Sequence, residues 1–178
     1  MADVDLLGMY GRAAEEAFRL EAQQLYAVPA ENAQFRAFAE GQPLPADPHV
    51  DRSMQIIREA TARGCRIRRV HVMDLPLNLY LRYELAAYRE NIDAGEEVGI
   101  ALRRWHVGLA DLTEDFVLFD PEGPHPDVVW MRYDDQGQLI GLAHSDRPAD
   151  LALAASYRET ALAHAVPLRE FMTLAEAG

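Results

Sequence analysis

The sequence predicts an α/β domain, a mixed sheet of about five to six strands flanked by helices. Three observations lead there. Val50, Met54, Ile57 and Thr61 recur at helical spacing and then give way, across Gly64, to a β-branched run holding Ile67, Val70 and Val72. The same helix-to-strand change recurs across Gly95, where Leu81, Leu85, Tyr88 and Ile92 are followed by Val98, Ile100 and Leu102 in alternation. The last two strand-like runs, 128–133 and 139–143, are joined by the turn-rich Asp134-Asp135-Gln136-Gly137, which implies an antiparallel hairpin.

The remaining elements fall around these. Residues 4–26 read mostly as helix, with Leu6, Leu7, Tyr10, Ala14 and Ala17 in phase, but Phe18 and Leu20 alternate with Arg19 and Glu21, so 17–21 is expected to be a short strand. A short helix over 31–40 places Phe35 and Phe38 on one face and stops at Gly41. Pro43, Pro45 and Pro48 make 42–48 an extended connector, and Asp47-Pro48 is a good helix start because aspartate caps free amides and proline is tolerated in the first turn. Residues 105–112 are loop or short helix, 116–119 a strand, and a long alanine-rich helix begins near Pro148. Pro167 opens a final helix with Leu168, Phe171, Met172 and Ala175 facing inward.

At 178 residues and 49% hydrophobic, the chain suits one domain with a single core. Its parts are an N-terminal helical and strand segment (1–41), the connector (42–48), an α/β core (49–166) and a C-terminal helix (167–178). A formal charge of −12 repels a phosphate backbone, so direct nucleic-acid binding is not expected. Cys65 stands alone and suits a reducing compartment, the start of the chain lacks the positive charge of a signal peptide, and no apolar run approaches the roughly 18 residues of a membrane span. A soluble, cytoplasmic protein without membrane contact is the expectation. All 17 basic residues are arginine, which removes lysine Schiff-base chemistry and a P-loop.

Chemical motifs are sparse. The histidines His49, His71, His106, His125, His144 and His164 form no metal-ligand spacing, and no glycine-rich phosphate loop or serine elbow occurs, so no metal, cofactor or catalytic set is expected. Cys65, between Arg63 and Arg66, reads as a small core residue before it reads as a thiolate. The candidate binding residues are His71, Asp74, Tyr80, Arg82, Glu84, Glu96 and Asp120. His71 and Asp74 flank a strand end, where α/β folds often display functional groups, although a core histidine and a capping aspartate explain them as well. Tyr80 and Glu84 share a helix face four residues apart, either lining a ligand pocket or serving an internal ion pair with Arg19 or Glu21. Arg82 lies off the apolar stripe, where solvated helix surface also accounts for it. Trp105, Phe116, Phe119 and Trp130 read as sheet core.

The segments Ala17-Phe-Arg-Leu-Glu21, Arg66-Ile-Arg-Arg-Val-His-Val72, Pro76-Leu-Asn-Leu-Tyr80, Ala94-Gly-Glu96 and Asp115-Phe-Val-Leu-Phe-Asp120 resemble an uncharacterised actinobacterial family, a domain of unknown function often encoded beside helix-turn-helix regulators. The element order from Met54 onward also resembles half of a phospholipase D-like fold, whose catalytic strand ends in H-x-K-x-x-x-x-D. With Asp120 in the aspartate place, Thr113 and Asp115 would stand where that motif has histidine and lysine, so the resemblance implies the fold without its chemistry.

Three functions are consistent with these residues. The resemblance implies a non-catalytic ligand- or protein-binding module of a regulatory system, its partner a helix-turn-helix protein or a small molecule. An enzyme of unfamiliar mechanism in secondary metabolism would use Glu84, Glu96 or Asp120 with Tyr80 or His71, and burial discriminates: a working carboxylate lies in a cleft with a raised pKa. A structural homodimer would pair through the last helix.

Overall fold

The computed structural model describes residues 4–176. Helix α1 (Leu6–Arg12) is capped by Asp5, whose carboxylate accepts the Gly8 amide at 2.9 Å, and leads into β1 (Glu16–Glu21). The alternation over residues 17–21 was thus a true strand signal. After a 3₁₀ turn at Pro29–Glu31, α2 (Asn32–Ala39) and the extended 42–47 segment reach α3 (Pro48–Ala62), where Asp47 accepts the amides of His49 and Val50. Then come β2 (Arg66–Met73), α4 (Leu79–Asp93, capped by Asn78) and β3 (Glu97–Leu102). Two 3₁₀ turns over residues 103–111 precede β4 (Asp115–Phe119), β5 (Asp127–Tyr133), β6 (Leu139–Ser145), α5 (Pro148–His164), β7 (Val166–Pro167) and α6 (Leu168–Glu176). Residues 177–178 of the expected terminal helix, and the Ala175 side chain, lie outside the described residues.

The strands form one sheet in the order β6-β5-β4-β1-β2-β3-β7. β1, β2 and β3 are parallel, which their helical crossovers require, while β4, β5, β6 and β7 run antiparallel to their neighbours. The sheet has seven strands where five to six were expected. The extra one, β7, is two residues long, too short for any alternation to register. Gly95 ends α4 with φ +99°, and a Cβ there would stand 2.8 Å from the Thr61 hydroxyl, so only glycine permits the close packing of α4 beside α3.

Strand alternation sorts the core into two faces. On one, Phe18, Leu20, Val70, Val72, Phe116 and Leu118 pack with Ala154 and Ala161 of α5. On the other, α1, α3, α4 and α6 cover Ala17, Ile67, Val117 and Phe119 toward one side and Met73, Val98 and Ile100 toward the other. Phe116 and Phe119 are buried as expected, and Trp130 packs on the α5 side. Trp105 is 38% exposed at the edge of Phe171, and Ile92 is 43% exposed, so the α4 stripe ends at Tyr88 rather than Ile92. Cys65 is core, and burial pushes its thiol up. None of the described helices is long and apolar enough to cross a membrane.

Candidate functional site

The helix-covered face carries four polar residues at the middle of the sheet, because β1 and β2 run parallel with Arg19 opposite Arg69 and Glu21 opposite His71. Helix α4 lies over them, and Tyr80, Glu84, Tyr88 and Asn91, spaced at i, i+4, i+8 and i+11, all line one cavity above the stripe. The cavity holds about 790 Å³ and is also walled by Tyr26, Tyr83 and Tyr133. A volume of this order suits a small molecule.

Glu21 is the charged hub. Its carboxylate lies 2.9 Å from Arg19 Nη2 and 3.0 Å from Arg69 Nη1, and it accepts the Tyr88 hydroxyl at 2.6 Å. Burial acts to raise its pKa, but the two guanidinium groups outweigh burial and hold it at about 2. Arg69 reaches further back, donating to Glu96 at 2.9 Å, and Asn91 donates to the other Glu96 oxygen at 2.6 Å. His71 is fully buried, with Nε2 2.8 Å from the Gln23 carbonyl and Nδ1 2.8 Å from the Tyr88 hydroxyl. A carbonyl only accepts, which assigns the ring proton to Nε2. Burial holds the imidazole neutral, so the Tyr88 hydroxyl has one proton for two acceptors, His71 Nδ1 and Glu21.

Glu84 stands apart from this network. It is 7% exposed, and among the described residues it makes no ion pair; its neighbours are the hydroxyls of Tyr80 and Tyr88. Burial, followed by the charges of Glu21 and Glu31, raises its pKa to about 8, with Arg69 and Tyr88 opposing. Ligand-type atoms of Glu21, His71 and Glu84 all lie within 4.8 Å of one another. Two carboxylates that close do not both ionise near neutral pH, and the arginines assign the charge to Glu21, so the proton stays on Glu84. A second acid, Asp115, is raised by burial to about 6 while accepting from Tyr26 and from the Ala22 amide.

The same three atoms offer a cation two oxygens and a nitrogen, a convergence that local histidine spacing does not register. To ligate, His71 would exchange Tyr88 for the cation, and Glu21 would share it with two guanidinium groups. A proton on Glu84 balances the same charge without either change.

Of the residues singled out from sequence, His71, Tyr80, Glu84 and Glu96 gather here, with Tyr80 donating to Glu31 at 3.2 Å. The expected partners of Glu84, Arg19 and Glu21, pair with each other instead. Asp74 lies outside the cavity and meets Arg103 at 3.2 Å, and Arg82 is on the exposed side of α4. Asp120, with φ 45°, accepts the amides of Ala14, Glu15 and Glu16, tying β4 to the α1–β1 turn. Sequence reasoning named Arg19 and Glu21 only as alternative ion-pair partners, and left out Arg69, Tyr88 and Asp115 as members of the site. Charged residues alternating with apolar ones inside two strand signals were the available sign.

A family model described as "Domain of unknown function (DUF6879)" matches residues 5–173. No curated protein matches the chain. Among solved structures, a phospholipase D family member, nuc from Salmonella typhimurium, has a TM-score of 0.52 at 10% identity, covering 90% of this chain and 86% of that one. The mixed sheet with its flanking helices is therefore structurally related to the phospholipase D fold. A weaker likeness, TM-score 0.47 at 13% identity, is to TrmBL2, an archaeal chromatin protein, covering 90% of this chain and 48% of that one.

Proposed function

The chain belongs to the DUF6879 family, and from that premise we propose that it is an enzyme working on a small molecule by acid–base chemistry, with Glu84 as the group that gives and takes the proton. The observation that carries this reading is Glu84 itself, a buried carboxyl group without an ion pair, with a pKa of about 8, at the wall of a cavity. A proton donor is most effective when its pKa lies near the working pH. Two acids set far apart by their surroundings, Glu21 at about 2 and Glu84 at about 8, are the pattern of a site with divided roles. Glu21 fixes the field, Tyr88 holds its second oxygen in place, and Tyr80 lines the approach. Asp115, at the place of the phospholipase D motif's lysine, is engaged by Tyr26, which supports a chemistry other than phosphodiester cleavage.

The test is a carbon-detected NMR titration of the glutamate carboxyls, with Glu84→Gln assigning the resonance, run beside incubation of the protein with a small-molecule extract. A midpoint near 8, and substrate consumption by the parent that Glu84→Gln abolishes, are the expected results. A midpoint below 5 would falsify the assignment.

A second reading keeps the cavity but not the turnover: a cytoplasmic binding module that works beside a helix-turn-helix regulator, either as a monomer or as a homodimer. The charge of −12 favours it, since an acidic body docks against a basic DNA-binding partner. Under this reading Glu84→Gln alters ligand affinity and no molecule is consumed.

A further inference from the structure

The charges around the cavity do not balance. Of its lining residues, Arg19 and Arg69 are cationic, while Glu21, Glu31, Glu84 and Glu90 are acids. Arg19 and Arg69 are both spent on Glu21, and Arg69 also on Glu96. What is missing beside Glu84 is a cation. Arg69, the cation that acts on it, is already shared between Glu21 and Glu96, and Glu84 is more than nine-tenths buried with the neutral hydroxyls of Tyr80 and Tyr88 beside it. The groups facing it are Glu21 from β1, Arg69 and His71 from β2, Tyr80 and Tyr88 from α4 and Glu31 from the turn before α2.

The wall beyond Glu84 is aromatic. Tyr26, Tyr80 and Tyr83 form a packed run of rings, with Tyr26–Tyr80 centroids 6.1 Å apart and Tyr80–Tyr83 centroids 5.8 Å apart, and Tyr133 stands 5.1 Å from Tyr26. Aromatic rings around an acid are the surroundings that recognise organic ammonium groups, through attraction of the charge to the ring electrons. Among the described residues the Tyr133 hydroxyl bonds the Met131 sulfur, at 4.0 Å, a weak contact that a ligand acceptor could replace.

We propose that the cavity binds a small organic amine as its ammonium ion, seated against Glu84 and the tyrosine wall, so that the amine enters as the Glu84 proton leaves. This deepens the acid–base reading above and rests on it: an ammonium ion converts Glu84 from acid to carboxylate at the moment of binding, arming it as a base toward the bound molecule. No bond to the amine is made or broken in this step, and the released proton goes to solvent.

Isothermal titration calorimetry at pH 7 with benzylamine, run in two buffers of different ionisation enthalpy, tests this. Benzylamine is expected to bind with release of about one proton per site, and its neutral and anionic counterparts, benzyl alcohol and benzoate, to bind at least about tenfold more weakly, a difference of about 1.4 kcal/mol. Glu84→Gln is expected to weaken benzylamine by a similar factor and to release no proton, while Tyr133→Phe, which keeps the ring, retains proton release. Circular dichroism of each variant establishes that it is folded. Absence of benzylamine binding, preference for benzoate, or amine binding that survives Glu84→Gln unchanged would each overturn the proposal. Those outcomes leave the NMR titration of Glu84 untouched, so loss of the amine and loss of the acid–base reading are separately visible.

Discussion

Leu20 and Glu21 are neighbours on β1, yet they enter different environments. Leu20 is fully buried among Val70, Val72, Phe116 and Leu118 beneath the small residues of α5, while Glu21 faces Arg19, Arg69, His71 and the polar side of α4. Even the charge on the α5 side is closed, since Glu16 takes Arg158 by two hydrogen bonds, at 3.0 and 2.6 Å. On the α4 side one acid is left over, and beside it is a cavity. The two faces differ in what lies beside the charge: on the α5 side Glu16 is closed by Arg158, with Arg68 3.6 Å away, whereas on the α4 side the charged cluster borders a cavity.

The largest effect should come from Glu21→Ala, which leaves Arg19 and Arg69 facing each other without their shared counter-charge. A loss of about 3–5 kcal/mol in denaturant unfolding is expected. Leu20→Ala, one residue away, should cost about 2–5 kcal/mol through its cavity on the α5 side, and unlike Glu21→Ala it should leave the Glu84 titration in place. If both variants moved the Glu84 midpoint equally, the two faces would not be independent.

The pH dependence sharpens the contrast further. Glu84 binds its proton more tightly folded than unfolded, so between pH about 4.5 and about 8 the unfolded chain ionises first and stability falls as pH rises. Glu21 does the opposite, contributing stability above its ordinary value of 4.5 that is lost as pH falls toward about 2. Asp115 adds to the falling limb from 3.8 to about 6. Thermal melts across pH should show Glu84→Gln flattening the fall between pH 6 and 8, and an unchanged slope there would remove Glu84 as its source. The smallest effect belongs to Asp74→Ala, whose pair with Arg103 is half exposed; about 0–1 kcal/mol is expected in the same unfolding assay, with no change in Glu84.

Much of the architecture was legible because it is local. Helix α3 begins where Asp47-Pro48 says it should, α4 ends at the glycine that must adopt a positive φ, and the β5–β6 hairpin follows from its turn residues. Tyr80 and Glu84 share the face that one helix period assigns to them. Four residues, His71, Tyr80, Glu84 and Glu96, were visible one by one, whereas Asp120 turned out to be a turn clamp for the same reason that made it noticeable, a carboxylate at a strand end.

Composition and periodicity determined that this chain makes an acidic α/β domain with two helix–strand units and a hairpin, since those signals lie in windows of a few residues. Which acid keeps its proton was decided only by the fold. The parallel register of β1 and β2 sets Glu21 between two arginines 50 positions apart in the chain (Arg19 and Arg69), and the docking of α4 brings Glu84 beside it without an arginine of its own. Charge interactions act through space, and no spacing along a sequence states how near two of its charges will come.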